Sequence, residues 1–247
     1  MLKKNDKIRK CFDNGSLHYD NYSELQKQVC NELVNFYKIC KTPDSFSYFR
    51  GLDLGSGTGQ LSCQLCKVEK FDELHLVDFS KNMIELAKKK VLLKNASFQV
   101  KDFDTFSRFD RFNFIFSNMS LHWSRDFEKL FSDLVKNMTL NSNLLISFPN
   151  SRSFTTLKKL KINVMNELPD EKKILRLINK KKNYFKYKEL FLKKKYMRPL
   201  DFFYDLRNIG ANASTKKTNK LFHLRKLNSK ISVDYNISFI FFRKLKK

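Results

Sequence analysis

Three glycines alternate with other residues in the stretch LDLGSGTGQL, residues 52–61, where missing side chains would let the backbone approach a ligand closely. A dinucleotide-binding loop places two residues between its second and third glycine, and a P-loop ends in Gly-Lys followed by Ser or Thr. The stretch matches neither pattern and contains no Lys or Arg to meet a phosphate. We therefore expect a ligand other than a nucleotide diphosphate.

Polar residues follow four predicted strands, at the positions where open α/β sheets bind ligands. Asp53 opens the glycine loop, Asp78 ends LHLVD, Asp102 follows FQVK, and SNMSLHW spans residues 117–123. The negative charge of Asp53 suits a cationic group, and Asp78 is placed to accept hydrogen bonds from both hydroxyls of a ribose. A ligand with a ribose, an ammonium group and no phosphate is S-adenosylmethionine, which we expect as the cofactor.

Strand-like and helix-like runs alternate along the middle of the chain. Short apolar runs predict strands at YFRGLDL, ELHLVD, ASFQVKD, FNFIFSN and NLLISF, and later at YFKYKELFLKKKY and ISVDYNISFIFFRK. Helical periodicity predicts a helix within residues 16–41 and further helices between the strands, one of them opened by a serine N-cap at residue 80. This alternation predicts a parallel sheet with helices on both faces.

The ordered motifs DLGSGTG, VDFSKNM and VKDF resemble those of the class I S-adenosylmethionine-dependent methyltransferases. The resemblance implies a Rossmann-like α/β fold, with a mostly parallel seven-stranded sheet, helices on both faces and an antiparallel final strand. It also implies that the glycines line the methionine part of the cofactor, that Asp78 holds the ribose and that Asp102 meets the adenine. The cofactor-binding residues implied by the resemblance are Asp53, Gly55, Ser56, Gly57, Gly59, Asp78, Phe79, Met83, Asp102, Phe103 and Asn118.

The segments that flank these motifs narrow the resemblance to one family. FDNGSLHYDNYSELQKQVCNELV, SNMSLHW, PLDFFYDLRNIGANAS and VDYNISFIFFRK look like segments of the malonyl-acyl-carrier-protein O-methyltransferases of biotin synthesis. The resemblance implies methylation of the free carboxylate of a malonyl thioester on acyl-carrier protein, which initiates pimeloyl synthesis. It covers nearly the whole chain, but the Lys-rich residues 150–183 depart from the family pattern.

A malonyl carboxylate is ionised near neutral pH and is its own nucleophile, so we expect no general base. Methyl transfer needs both reactants held close together with water excluded, which aromatic residues of a lid can achieve. We expect Tyr19 and Trp123 to position the reactants, and Tyr22 and His122 to line the substrate site. Arg152 is the candidate partner of the malonyl group. Ordinary packing of the aromatic residues and a solvated loop position for Arg152 are the alternatives.

The net charge of +24 suggests a nucleic-acid partner, but the excess is mostly Lys spread along the chain, whereas Arg, which reads bases, is sparse. We expect no nucleic-acid partner. An acidic acyl-carrier protein could instead meet a Lys-rich rim at residues 180–182 and 193–195.

Apolar runs are too short to span a membrane, and the charged N-terminus lacks the apolar core of a secretory signal. We therefore expect a cytoplasmic protein without a membrane partner.

We expect a single methyltransferase domain over residues 1–247. Within it, residues 1–47 form a helical lid, residues 48–148 the cofactor-binding core, and residues 149–247 a substrate-side insertion with the last two strands. We expect no metal site, because Cys63 and Cys66 lack a second cysteine pair and the histidines lack ligand spacing, so both cysteines are expected to be buried helical thiols.

Other functions remain open at this level. Another small-molecule carboxyl methyltransferase would share the same cofactor site. An RNA methyltransferase is suggested by the charge, but the chain has SNMS where amino-methylating enzymes place an Asn/Asp-Pro-Pro-Tyr type of motif. A non-catalytic assembly factor would keep the fold and need not bind S-adenosylmethionine at all.

Overall fold

The computed structural model describes residues 4–41, 48–160, 167–178, 183–212 and 229–245. A 7-stranded sheet organises them, in the order β3-β2-β1-β4-β5-β7-β6. Strands β1 to β5 pair in parallel, and β7 inserts antiparallel between β5 and β6. The strands are β1 Phe49–Leu54, β2 Phe71–Asp78, β3 Ala96–Val100, β4 Phe114–Asn118, β5 Asn143–Pro149, β6 Tyr184–Tyr196 and β7 Ile231–Arg243. The predicted Rossmann-like sheet with a reversed final strand is confirmed.

Helices connect and cover the strands. The α-helices of the described residues are α1 Lys4–Tyr22, α2 Glu24–Cys40, α3 Gln60–Leu65, α4 Lys81–Lys90, α5 Phe127–Asn137, α6 Thr155–Lys159, α7 Glu171–Arg176 and α8 Pro199–Asn208. Side-chain caps fix several of their starts, as the serine predicted at residue 80 shows: Ser80 Oγ accepts a hydrogen bond from the Met83 N–H at 3.2 Å. Short 3-10 turns cover Phe103–Thr105, Phe109–Arg111 and Leu121–Trp123.

The residues in which a helix was predicted, 16–41, contain the end of α1 and the whole of α2, which ends at Cys40. Helix α1 ends at Tyr22 and α2 begins at Glu24, because Ser23 between them leaves helical geometry, with a ψ of 32°. The bend lets α1 turn away from α2 and pack against α4 and α8 instead. Sequence periodicity missed the change of direction because both helices keep apolar residues at helical spacing.

The packing of the core explains why the sequences of the strands are continuous runs of apolar residues. Both faces of the sheet are covered, so β5 is buried along its whole length. Helix α2 contributes Tyr37, whose ring lies 5.0 Å from that of Phe114 and 5.7 Å from that of Phe241, measured between centroids. Aromatic packing of this kind joins α2 to the sheet at the start of β4 and along β7.

Helix α1 lies across the carboxyl ends of the strands. Its Asp13 carboxylate accepts a hydrogen bond from Ser80 Oγ at 2.5 Å, and Asp20 accepts one from Thr58 Oγ1 at 3.0 Å. Hydrogen bonds from the middle and from the C-terminal end of α1 therefore hold the helix against the loops that follow β1 and β2. The single domain and its division into lid, core and substrate-side segment remain predictions.

Two further sequence expectations concern cysteines and membranes. Cys63 lies in α3 and Cys66 just beyond its end, and both thiols are free and half-buried, which makes them more accessible than expected. The described part of the chain contains no helix with both the length and the apolar character that crossing a bilayer requires.

The crossing of α1 and α8 depends on glycine. A Cβ added at Gly15 would lie 2.4 Å from the backbone nitrogen of Gly210. Replacing Gly15 with Val should therefore lower the free energy of unfolding by about 1–3 kcal/mol, the usual cost of forcing bulk into close packing.

Urea unfolding measures this change, and Leu17→Val is the matched control, since Leu17 is 81% exposed on the same helix and also becomes β-branched. Equal unfolding free energies for the two variants would show that the crossing tolerates a side chain.

Candidate active site

The glycine loop joins β1 to α3 and turns sharply beside β2. Gly55, Gly57 and Gly59 have φ values of 67°, 54° and 80°, a region that residues with a Cβ rarely adopt. The N–H groups of Gly55 and Ser56 donate to the carbonyl of Val77 at 2.7 and 3.0 Å, which ties the loop to the neighbouring strand. The sequence needs glycine here because the backbone must reverse within a few residues.

The three glycines meet different surroundings. A Cβ at Gly57 would meet nothing within 4 Å, so this position faces open space. At Gly55 an added Cβ would lie 1.7 Å from Ser120 Oγ, and at Gly59 it would lie 2.8 Å from the Val91 side chain. Gly57 therefore leaves room for a ligand, whereas the other two permit close packing of protein against protein.

A first pocket of about 700 Å³ lies where β1, β2 and β4 end. It occupies the place where the strand order reverses, which is where open α/β sheets bind ligands. The predicted cofactor residues that line it are Asp53, Gly55, Ser56, Gly57, Asp78, Phe79, Met83, Phe103 and Asn118.

Two predicted cofactor residues lie outside this lining. Gly59 sits at the start of α3, and its Cβ position faces Val91 of the protein interior. Asp102 accepts a hydrogen bond from the Asp104 N–H at 2.9 Å and so caps the 3-10 turn that carries Phe103. Gly59 and Asp102 thus support the residues that line the pocket without lining it themselves. Their direct contact with a cofactor remains a prediction.

Two buried carboxylates dominate the electrostatics of the first pocket. Asp53 accepts from Ser62 Oγ at 2.6 Å, while Asp78 accepts from the N–H groups of Gly57 and Ser80 at 2.8 and 2.9 Å. Burial raises the pKa of Asp53 to about 7, and the nearby charge of Asp78 adds to the increase. Burial likewise raises the pKa of Asp78 to about 6, against the lowering effect of its backbone hydrogen bonds.

These features fit S-adenosylmethionine. Among the described residues that line the first pocket there is no Lys or Arg, so the two acids would meet a cationic ligand without competition. The Ser56 hydroxyl is buried there without a hydrogen-bond partner in the described part of the chain, and Gly57 leaves free space beside it. Asp53 would hold the amino group, and Asp78 would accept from the ribose.

A second pocket of about 670 Å³ adjoins the first. The residues that line both pockets form a shared wall, made of Phe12, Tyr19, Gln26, Met119 and Trp123. Two bound molecules could therefore approach each other across aromatic and polar side chains without passing through bulk water. Such adjoining pockets suit the transfer of a group from one molecule to another.

The predicted positioning residues Tyr19 and Trp123 both belong to the shared wall. Trp123 is buried and packs edge-on against Phe12, with ring centroids 5.5 Å apart. Burial, followed by the charges of Asp78 and Asp20, raises the pKa of Tyr19, so its phenol stays neutral. The wall is thus uncharged at the point where the pockets meet.

Tyr22 and His122, which were predicted to bind substrate, line the second pocket. Tyr22 is 44% exposed at its edge. The His122 ring lies 5.2 Å from that of Trp123, and burial lowers the pKa of the imidazole to about 3, so it is neutral. Its Nδ1 atom is buried and has no hydrogen-bond partner within the described residues.

Arg152, the predicted partner of the malonyl group, lies elsewhere. Its Nε atom is 3.1 Å from the buried carboxylate of Glu171, and its Nη2 atom pairs with Glu189. It lines neither of the two pockets. The guanidinium instead ties the segment after β5 to α7 and β6, and its substrate role remains a prediction without support from this geometry.

Several lining residues escaped the sequence analysis. Phe12 and Met119 gave no chemical signal, and Met119 reaches the wall through an unusual positive φ of 53°. Gln26 lay in a flanking segment that carried family resemblance, which could have identified it. Lys194 was seen only as part of a Lys-rich rim, because its place in the second pocket depends on strand alternation and on the position of α8.

The glycine loop, the acid that ends β2 and the reversal of strand order together define a class I methyltransferase. A family model described as a methyltransferase domain matches residues 46–203. The chain belongs to this family of methyltransferases. The predictions of an S-adenosylmethionine-dependent methyltransferase and of its cofactor are confirmed at this level.

Curated relatives resemble the chain over different lengths. A Coxiella burnetii protein named malonyl-[acyl-carrier protein] O-methyltransferase 2 is 24% identical over 99% of this chain and 97% of its own length. A Bacillus cytotoxicus protein with the name malonyl-[acyl-carrier protein] O-methyltransferase is 24% identical over 85% of this chain and 78% of its own. A Bacillus cereus protein of that name is 26% identical, but the match spans only 55% of its length and 61% of this chain.

Solved structures share the fold. Phosphoethanolamine N-methyltransferase 2 from Haemonchus contortus, in complex with S-adenosylmethionine, aligns with a TM-score of 0.64 at 16% identity, covering 100% of this chain and 61% of that one. Magnesium protoporphyrin IX methyltransferase from Synechocystis aligns with a TM-score of 0.60 at 12% identity, covering 99% of both chains. At these identities the likeness extends to the fold alone.

The raised pKa of Asp53 predicts a stability that falls as pH rises. The folded state must ionise a buried group that the unfolded state ionises easily, so unfolding becomes easier from about pH 4 to pH 8. Asp53→Asn removes this cost and should stabilise the protein without cofactor by about 1–4 kcal/mol at pH 8, with a smaller gain as pH falls towards 4.

Chemical unfolding at the two pH values tests this expectation, with the exposed Asp110→Asn as the matched control. If Asp53→Asn gained no more stability at pH 8 than the control does, Asp53 would not carry a buried charge.

Proposed function

We propose that the protein transfers a methyl group from S-adenosylmethionine to the free carboxylate of a malonyl thioester on acyl-carrier protein. The adjoining pockets carry the proposal, since a cation-selective site and a second site of similar size share one uncharged wall. The names of the curated relatives, one of which aligns over 99% of this chain, support the choice of substrate. The proposal joins these two lines of support.

The chain itself would perform three tasks. Asp53 and Asp78 bind the cofactor, and Gly57, which has no side chain, leaves open space for the cofactor beside these two acids. When bound, S-adenosylmethionine supplies a methyl group that a carboxylate oxygen accepts without any proton transfer. The neutral phenol of Tyr19 and the indole of Trp123 orient the two ligands and exclude water from the wall between them. A general base is unnecessary because the acceptor is already ionised near neutral pH.

The cellular role follows from this chemistry. Methylation removes the charge from the malonyl end, so enzymes that elongate apolar fatty-acid chains could then extend it towards pimeloyl units for biotin. The reaction would take place in the cytoplasm, where carrier-bound substrates are made. Of the Lys-rich rim, residues 180–182 lie outside the described residues, whereas Lys193 and Lys195 are exposed on β6 and could meet an acidic carrier.

Methyl transfer to malonyl-acyl-carrier protein, followed by mass spectrometry, tests the proposed function. Free dicarboxylic acids assayed in parallel distinguish a small-molecule carboxyl methyltransferase, and calorimetry with S-adenosylmethionine distinguishes an assembly factor that binds no cofactor. Growth without biotin, restored to a host that lacks this methylation step, would place the activity in the pathway. Transfer to free acids but not to the malonyl thioester would contradict the proposal.

Gly57→Val should abolish measurable binding of S-adenosylmethionine. The branched side chain would enter the open space beside the acids and would also be strained at a φ of 54°. Asn141→Val is the matched control, because it places the same residue at a φ of 61° on an exposed turn away from the pockets. Calorimetry should find wild-type affinity for the control, and wild-type affinity in the Gly57 variant would contradict the loop's role.

Raising salt should increase the apparent KM for malonyl-acyl-carrier protein much more than that for malonyl-coenzyme A. Both substrates share the reacting group, but only one presents an acidic protein surface to the exposed lysines, and salt screens charges beyond about 8–10 Å. Initial rates between low and high salt measure the contrast. Equal salt dependence for the two substrates would remove electrostatic steering as a function of the +24 charge.

A further inference from the structure

One cationic side chain faces the second pocket. Of the described residues that line the two pockets, Lys194 is the only Lys or Arg. Its Nζ atom lies 2.8 Å from the carboxylate of Asp205 and 5.4 Å from the centroid of the Tyr196 ring. The cation is therefore held in place by an ion pair and by the face of an aromatic ring.

Strand alternation and helix α8 bring this group to the pocket. Successive residues of β6 point to opposite faces, so Lys194 shares its face with the buried Tyr196, whereas Lys193 and Lys195 are exposed on the other. Asp205 comes from α8, and the Tyr196 phenol lies beside Asp205 and Tyr235 of β7, whose interactions add to the effect of burial in raising its pKa. Three elements thus fix the position of one ammonium group.

The charges of the site leave few partners for an anion. A carboxylate that enters a pocket loses water and needs a compensating positive charge or hydrogen bonds. His122 is neutral because burial lowers its pKa to about 3, and the guanidinium of Arg152 is held by Glu171 and Glu189 outside the pockets. The first pocket contributes acids. Lys194 remains as the cation that a buried carboxylate could meet.

We propose that Lys194 recognises the ionised carboxylate of the acceptor, and that Asp205 and Tyr196 position its ammonium group. This inference rests on the proposed function, in which the acceptor is a carboxylate. It assigns to a strand residue the substrate contact that the sequence analysis expected of Arg152.

The pairing with Asp205 suits a site that must release its product. An ammonium group shared between two carboxylates holds the substrate less tightly than an unpaired one would, and the substrate oxygen keeps more of its nucleophilicity. After methylation the acceptor is a neutral ester, so its attraction to Lys194 is lost while the attraction to Asp205 remains. Lys194 would therefore discriminate substrate from product by charge.

Binding of matched ligands tests the inference independently of turnover. Calorimetry on protein loaded with S-adenosylhomocysteine compares malonyl-pantetheine with its methyl ester, which differ in one charge. Lys194→Met should weaken malonyl-pantetheine binding about tenfold or more and leave the methyl ester nearly unchanged. Lys195→Met, one residue along on the exposed face, should preserve the wild-type preference.

A double variant covers the case in which Lys194→Met leaves Asp205 unpaired and fails to fold. Lys194→Gln combined with Asp205→Asn removes both charges together and should show the same loss of preference. A variant that folds and still prefers the malonyl ligand as strongly as Lys195→Met does would overturn the inference while the proposed function stood. A wild-type protein that transfers no methyl group to malonyl thioesters would instead overturn the proposed function, and the inference with it.

Discussion

Two carboxylates lie buried beside each other at the ends of β1 and β2, and the rest of the site depends on their charge. Ionising Asp53 and Asp78 costs free energy in a pocket without a basic side chain among its described lining residues. A cationic ligand would offset that cost, so the same burial that destabilises the protein alone would give it affinity for S-adenosylmethionine in the proposed function. Hydrogen bonds from Ser62, Gly57 and Ser80 keep both acids oriented until the ligand arrives.

Covering these acids requires close contacts between elements far apart in sequence. Helix α1 lies over the strand ends, held by Asp13 and Asp20, and it reaches α8 only because Gly15 and Gly210 let the two backbones touch. The second pocket forms between these same two helices and the strand ends. A first pocket covered by one helix and a second pocket walled by that helix and another are thus consequences of one packing arrangement.

The sequence predicted the strands and their polar ends well, because buried parallel strands appear as continuous apolar runs and their carboxyl ends meet at one edge. Asp78 is an example: its position at the end of LHLVD was enough to place it in the first pocket. Arg152 and Lys194 show the limit. Both are cations near predicted element ends, and which of them faces a pocket depends on competing carboxylates from α7, α8 and β6. Sequence periodicity carries no information on such pairing across elements.

The two pockets and the wall between them differ in charge, and this arrangement suits the proposed transfer. The first pocket is acidic and attracts a cation, the shared wall of neutral aromatic and polar groups excludes water, and the second pocket pairs one cation with one acid. In the proposed reaction an anionic acceptor in the second pocket would meet Lys194, and the acids of the first pocket would repel it if they were ionised and unpaired. A cationic cofactor bound in the first pocket would reduce that repulsion, so the two ligands of the proposed reaction would favour each other's binding.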